Sequence, residues 1–183
     1  MSEAAILEAA SFAAEKHAFQ RRKGAAAEPY INHLLEVAHL VASALPEPDT
    51  NLLVAALLHD VVEDTSVTRE ELAARFNPDV VSLVAEVTDD KSLPKAERKR
   101  LQIEHAATIS PRAQVIKLAD KISNLRAILN SPPAGWTWAR SKEYFLWARQ
   151  VVDGLSCPDP ILKAEFERTY EKFDFGKEPE ARS

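Results

Sequence analysis

Leu52–Thr65 reads LLVAALLHDVVEDT, and this stretch decides the fold. Its first half is apolar on every side, the mark of a helix buried in the middle of a domain rather than lying on its surface. Its second half turns acidic, with His59 and Asp60 adjacent and Glu63 and Asp64 one turn later. On one continuous helix these four groups fall within an arc of roughly 140°. Four ionisable groups at the end of a buried helix carry a desolvation penalty of several kcal/mol unless they are paired or bind a metal. A metal site is the simplest reading of the pattern.

Outward from this stretch the chain reads as helices. Residues 3–20 alternate apolar and charged positions at amphipathic spacing, and a basic loop, Arg21–Lys23 followed by Gly24 and a run to Pro29, comes next. Tyr30 to Ala44 reads as a helix ended by Pro46 and Pro48, with Asp49 or Thr50 as the cap of the central one. Thr68 with Glu71 has capping-box spacing, Asn77–Pro78 and Ser110–Pro111 are further start signals, and Lys95 to Ala107 opens strongly basic. Trp136 to Leu155 carries Tyr144, Phe145 and Trp147, rings that helix packing explains, and a last helix runs from Asp159 to Phe173. The expected fold is all-α, a bundle of eight to ten helices forming a single domain over 1–183 with a flexible tail at 174–183.

Composition narrows the function. The 183 residues include 46% hydrophobic and 28% charged, values of a globular chain, and only four glycines, which with the absence of a glycine-rich phosphate loop argues against a doubly wound sheet. A formal charge of −5 argues against a general nucleic-acid or anionic-membrane binder, so any phosphate must be met locally. One cysteine, Cys157, permits no internal disulfide and suits a reducing compartment. No membrane-spanning stretch is present, and the acids Glu3, Glu8 and Glu15 are unlike a transit peptide. A cytoplasmic location is expected, with a homo-oligomer left open.

A hard or borderline divalent ion such as Mn²⁺ or Mg²⁺ wants imidazole and carboxylate ligands and open positions for water and substrate. His59 and Asp60 supply one of each. His33 lies one helix upstream among Ile31, Leu34 and Val37, and Asp120 sits in the apolar frame of Ile116, Leu118 and Leu125, where an unpaired carboxylate is costly. His17, His39 and His105 read as ordinary core or surface residues.

The set His33, His59–Asp60, Asp120 resembles the HD superfamily of metal-dependent phosphohydrolases. More narrowly, RRK at 21–23, PYINH at 29–33, LLHDVVEDT at 57–65 and KLADKISNL at 117–125 are similar to the hydrolase domain of RelA/SpoT-type stringent-response proteins. LPKAERKR at 93–100 and GWTWARSKEYFLWARQVVDGL at 135–155 are closest to its small stand-alone alarmone hydrolases, those of the metazoan SpoT-homologue kind. The resemblance implies an HD-domain helical bundle in which the four ligands hold one Mn²⁺. It implies Glu63 and Asp64 as the catalytic acidic pair, and Arg22 and Lys23 facing the phosphates of a guanine nucleotide alarmone. It further places Asn124 near the nucleoside and Lys95, Arg140 and Tyr144 in substrate-contacting segments. The implied reaction removes the 3′-pyrophosphate of guanosine 3′,5′-bis(diphosphate) or its pentaphosphate relative. Two departures stand out: Leu34 replaces the proline that usually follows the first histidine, and the loop Gly24–Glu28 is mostly alanine. The rival readings are an HD phosphatase for another nucleotide, such as a deoxynucleotide or the 2′-phosphate of NADPH, and a catalytically silent alarmone-binding module.

Overall fold

The computed structural model describes residues 3–47 and 49–176. Ten helices make up its regular structure among the described residues: α1 Glu3–Lys16, α2 Ile31–Ala44, α3 Thr50–Leu58, α4 Val61–Asp64, α5 Arg69–Arg75, α6 Pro78–Val87, α7 Lys95–His105, α8 Pro111–Asn130, α9 Trp138–Asp153 and α10 Pro160–Tyr170. The cap signals hold at atomic level. Asp49, Thr68, Asn77, Ser110, Thr137 and Asp159 each accept a hydrogen bond from a backbone N–H in the first turn that follows, satisfying donors that a helix start leaves unpaired.

Two helices lie at the centre. α3, apolar all round, packs against α1, α2 and α6; α8, about 30 Å long at 1.5 Å per residue, packs against α2, α6, α9 and α10. Leu57, Leu58, Ile116, Leu118, Ile122 and Leu125 are fully buried where they meet the rest of one continuous apolar cluster. This arrangement holds His33 on α2, the end of α3 and Asp120 on α8 against one another. α7 buries no residue completely and lies against α9, so its basic face stays open at the rim of the bundle.

The expected continuous helix over Leu52–Thr65 is broken. α3 ends at Leu58, His59 and Asp60 form a turn with Asp60 at φ −100° and ψ −3°, and α4 restarts at Val61. The His59 ring takes the Ala56 carbonyl at 2.8 Å, the acceptor that the Asp60 amide would use in an uninterrupted helix. The first helix likewise stops at Lys16, short of Gln20, in a turn that buries His17. Of the tail expected at 174–183, residues 177–183 lie outside the described residues, while Phe175 packs on Phe145, Tyr170 and Phe173.

Phe145→Ala, in this aromatic cluster and wholly buried, should cost about 3–5 kcal/mol of stability in urea unfolding. Ile161→Ala, on the exposed side of α10, should stay within about 0.5 kcal/mol.

Candidate metal and phosphate site

The break after α3 points His59 and Asp60 inward. His33, His59 and Asp60 each offer one ligand atom, and these lie within 4.8 Å of one another. Asp120 adds Oδ1 at 3.3 Å from His33 Nε2 and 3.8 Å from His59 Nε2. The histidine tautomers follow from their outer partners. A carbonyl only accepts, so His59 Nδ1 donates to Ala56 and Nε2 is the nitrogen turned toward the carboxylates, protonated in the metal-free protein and free to ligate once a cation takes that proton's place. Ser123 spends its one proton on Glu36, so it accepts from His33 Nδ1, and His33 Nε2 is likewise free to ligate.

His59 Nε2 is buried and stands 3.2 Å from Asp60 Oδ2 without a hydrogen bond of good geometry. A buried imidazole nitrogen without a well-formed hydrogen bond, between two carboxylates, fits a site whose positive charge comes from a proton or from a hard or borderline divalent cation. The electrostatics agree. Burial is the largest single influence on His59 and opposes its charge, yet Asp60 and Asp120 together outweigh it and push the ring up to about 10. Burial likewise opposes charge on both aspartates, but His59 with His33 at Asp60, and Lys121 with both histidines at Asp120, together hold their carboxyls well below the usual range. The cluster therefore demands positive charge.

Around it several residues act as braces. The Tyr30 hydroxyl, kept protonated by burial and by Asp60, donates to Asp60 Oδ2 at 2.6 Å. Asn124 Nδ2 donates to Asp120 Oδ1 at 2.6 Å, and Arg22 donates to Asn124 Oδ1 at 3.0 Å. Lys121, 3% exposed, pairs with Asp120 Oδ2 at 3.0 Å and sits over the Trp147 ring. On α4, Asp64 accepts from Gln20 and from Lys91, while Glu63 accepts from the Asp89 amide at 3.1 Å. Burial first, then Asp60, raises the Glu63 carboxyl.

All of these open on one cavity of about 520 Å³, which Arg22, Lys23, Lys95, Arg98, Lys99, Tyr144 and Trp147 also line. Arg140 does not line it; its guanidinium lies over Trp136, at the cavity's edge. Burial, then neighbouring cations, lowers the ammonium of Lys95 (Arg140 and Lys23) and of Lys99 (Lys95 and Lys121), so the positive wall favours an anion.

The basic loop is latched in place. Gly24 bridges to Pro133, the Ala134 amide donates to Lys23 O at 3.0 Å, and the Ala26 amide donates to Ser131 Oγ at 3.2 Å. A Cβ on Gly24 would stand 2.3 Å from Ser131 O, which leaves room only for glycine.

Sequence reading missed Tyr30, Gln20, His17, Lys91, Arg98, Lys99, Lys121 and Ser123. Tyr30 had one usable signal, its position one turn before His33. His17, read as ordinary, is buried, stacks on Tyr30 and bonds to Gln20, which in turn holds Asp64. His39 and His105, read as ordinary core or surface residues, are exposed.

This architecture is that of the HD domain family, whose profile matches residues 9–148, and the chain belongs to that family. A Xenopus tropicalis protein named guanosine-3′,5′-bis(diphosphate) 3′-pyrophosphohydrolase MESH1 is 52% identical over 167 residues, 91% of this chain and 93% of its own. The Homo sapiens protein of the same name is 54% identical over 155 residues, 84% of this chain and 87% of its own. A solved structure described as a metazoan ortholog of SpoT that hydrolyzes ppGpp superposes with a TM-score of 0.89 at 47% identity, over 93% of this chain and 96% of that one. A Listeria monocytogenes structure gives 0.64 at 30% identity, over 79% and 94%. Within the HD domain family, the chain thus falls among the MESH1 proteins.

Gly24→Ala should release the latch. The Ala134 amide, bonded to Lys23, should then exchange its hydrogen faster, while amides inside α8 keep their protection.

Proposed function

We propose that this chain hydrolyses the 3′-pyrophosphate of guanosine 3′,5′-bis(diphosphate), giving GDP and pyrophosphate, and acts on the pentaphosphate relative to give GTP. The carrying observation is that the imidazole–carboxylate cluster, the Glu63–Asp64 pair and the cationic wall share one cavity. The names of relatives about half identical over most of the chain support the same substrate.

In this reading His33, His59, Asp60 and Asp120 hold one Mn²⁺. When bound, such an ion polarises a phosphoryl oxygen and lowers the pKa of water. Arg22, whose planar fork matches a diphosphate, and Lys23 bind the phosphates, with Lys95 beside them and Arg140 at the edge. Asn124 ties the Arg22 guanidinium to Asp120, so phosphate binding and the ligand cluster are held in register. Tyr144 offers a flat face beside the nucleoside.

The acidic pair divides the proton work. Asp64 has donors at both oxygens, an arrangement for an anion, and takes the proton of the attacking water as its oxygen bonds to phosphorus. Glu63, raised by burial and by Asp60, gives its proton to the departing 3′ oxygen as the P–O bond breaks. The same reading makes the protein a cytoplasmic enzyme of one domain over 1–183, with a nucleotide rather than a nucleic acid as partner. No helix among the described residues is long and apolar enough to cross a membrane.

Chelator-stripped protein assayed on guanosine tetraphosphate should release GDP and pyrophosphate only when Mn²⁺ is restored. Orthophosphate as product, or no turnover by metal-loaded protein, would overturn the reading. Asp60→Ala should lose bound metal and activity together. Glu63→Gln should lower kcat by about 10²–10⁴-fold while Mn²⁺ stays bound. Arg22→Ala should act mainly on KM, read from steady-state kinetics.

A further inference from the structure

The two histidines of the cluster are supported unequally. His59 is held by a carbonyl of its own helix, whereas His33 is held by a line of side chains from three helices. His33 and Glu36 stand three residues apart on α2, and Ser123 and Arg126 three apart on α8, so each pair occupies one helix face and the two faces meet. His33 Nδ1 lies 2.8 Å from Ser123 Oγ, which donates to Glu36 Oε2 at 2.6 Å. The other Glu36 oxygen accepts from Arg126 Nη1 at 2.9 Å, and Arg126 Nη2 reaches Glu165 on α10 at 2.6 Å. Ser123 is 1% exposed, so in the folded chain its hydroxyl, and not bulk water, is the partner of His33 Nδ1.

We propose that Ser123 and Glu36, braced by Arg126 and Glu165, are positioning residues that lock His33 as its Nδ1–H tautomer and set the site's affinity for its divalent ion. The inference rests on the metal reading of His33, His59, Asp60 and Asp120. The physical chain is short. The Glu36 carboxylate polarises the Ser123 hydroxyl, which as a stronger acceptor draws on the His33 Nδ1 proton and leaves more electron density at Nε2. Arg126 keeps Glu36 from turning to solvent, and Glu165 keeps Arg126 spread between α2 and α10. The C-terminal helix, which supplies no ligand, thereby acts on the site.

The test is a titration of the chelator-stripped full chain with Mn²⁺, reading the free ion by electron paramagnetic resonance, for the parent and for Ser123→Ala, Ser123→Thr and Glu36→Gln. Ser123→Ala and Glu36→Gln should weaken Mn²⁺ binding by about 10- to 100-fold, and Ser123→Thr, which keeps the hydroxyl, should restore most of it. Thermal melts of the metal-free proteins separate this effect from unfolding, and Glu36, being half-buried, is the variant least exposed to a folding failure. Parent-like affinity in folded Glu36→Gln overturns the inference, whatever Ser123→Ala does, and leaves the metal site standing. A parent that binds no Mn²⁺ overturns the metal reading and this inference with it.

Discussion

Two aspartates whose side chains are 18% and 14% exposed, Asp60 and Asp120, meet two buried imidazoles at the centre of the bundle, and the rest of the structure answers that concentration of charge. Carboxylates crowded at low exposure are tolerated only when positive charge or donors surround them. Tyr30, Asn124 and Lys121 each give one donor to an aspartate oxygen. The imidazoles are turned by Ala56 O and Ser123 Oγ so that their Nε2 atoms face the same carboxylate. The helix break at His59–Asp60 belongs to this constraint, because a continuous helix would commit the Ala56 carbonyl elsewhere.

The second feature is local inversion of charge. A chain with formal charge −5 gathers Arg22, Lys23, Lys95, Arg98 and Lys99 around one cavity. Mutual repulsion among these cations costs stability, and an anion of high charge density relieves it. The wall is assembled from a loop and from α7, two segments that bury no residue completely. Each is pinned by specific contacts: the loop by Gly24 against Ser131, and α7 by the Trp147 indole donating to Lys99 O at 3.0 Å.

Much of the fold was legible in the chain. Cap residues and proline starts marked most helix beginnings, because capping is local chemistry within three residues. Apolar α3 announced itself as central. The helix break did not, since His59 competes for a carbonyl only once its ring is trapped between Asp60 and Asp120, contacts made across α3 and α8. The packing of Phe175 was hidden for the same reason: its partners Phe145 and Tyr170 lie on two other helices.

At the site, the sequence by itself determined which chemistry is present: imidazole and carboxylate at His33, His59, Asp60 and Asp120, an acidic pair at Glu63–Asp64 and cations at Arg22 and Lys23. The four ligand candidates are visible because a charged or polar group inside an apolar frame departs from its own local pattern, whereas the roles of the acidic pair and of the loop cations came from the family resemblance. Only the tertiary structure decided the braces, Gln20 on Asp64, Lys121 on Asp120, Ser123 and Glu36 behind His33, and it places Arg140 at the cavity's edge over Trp136. A hydrogen bond between residues 87 or 102 positions apart depends on distance in space, which no local spacing encodes.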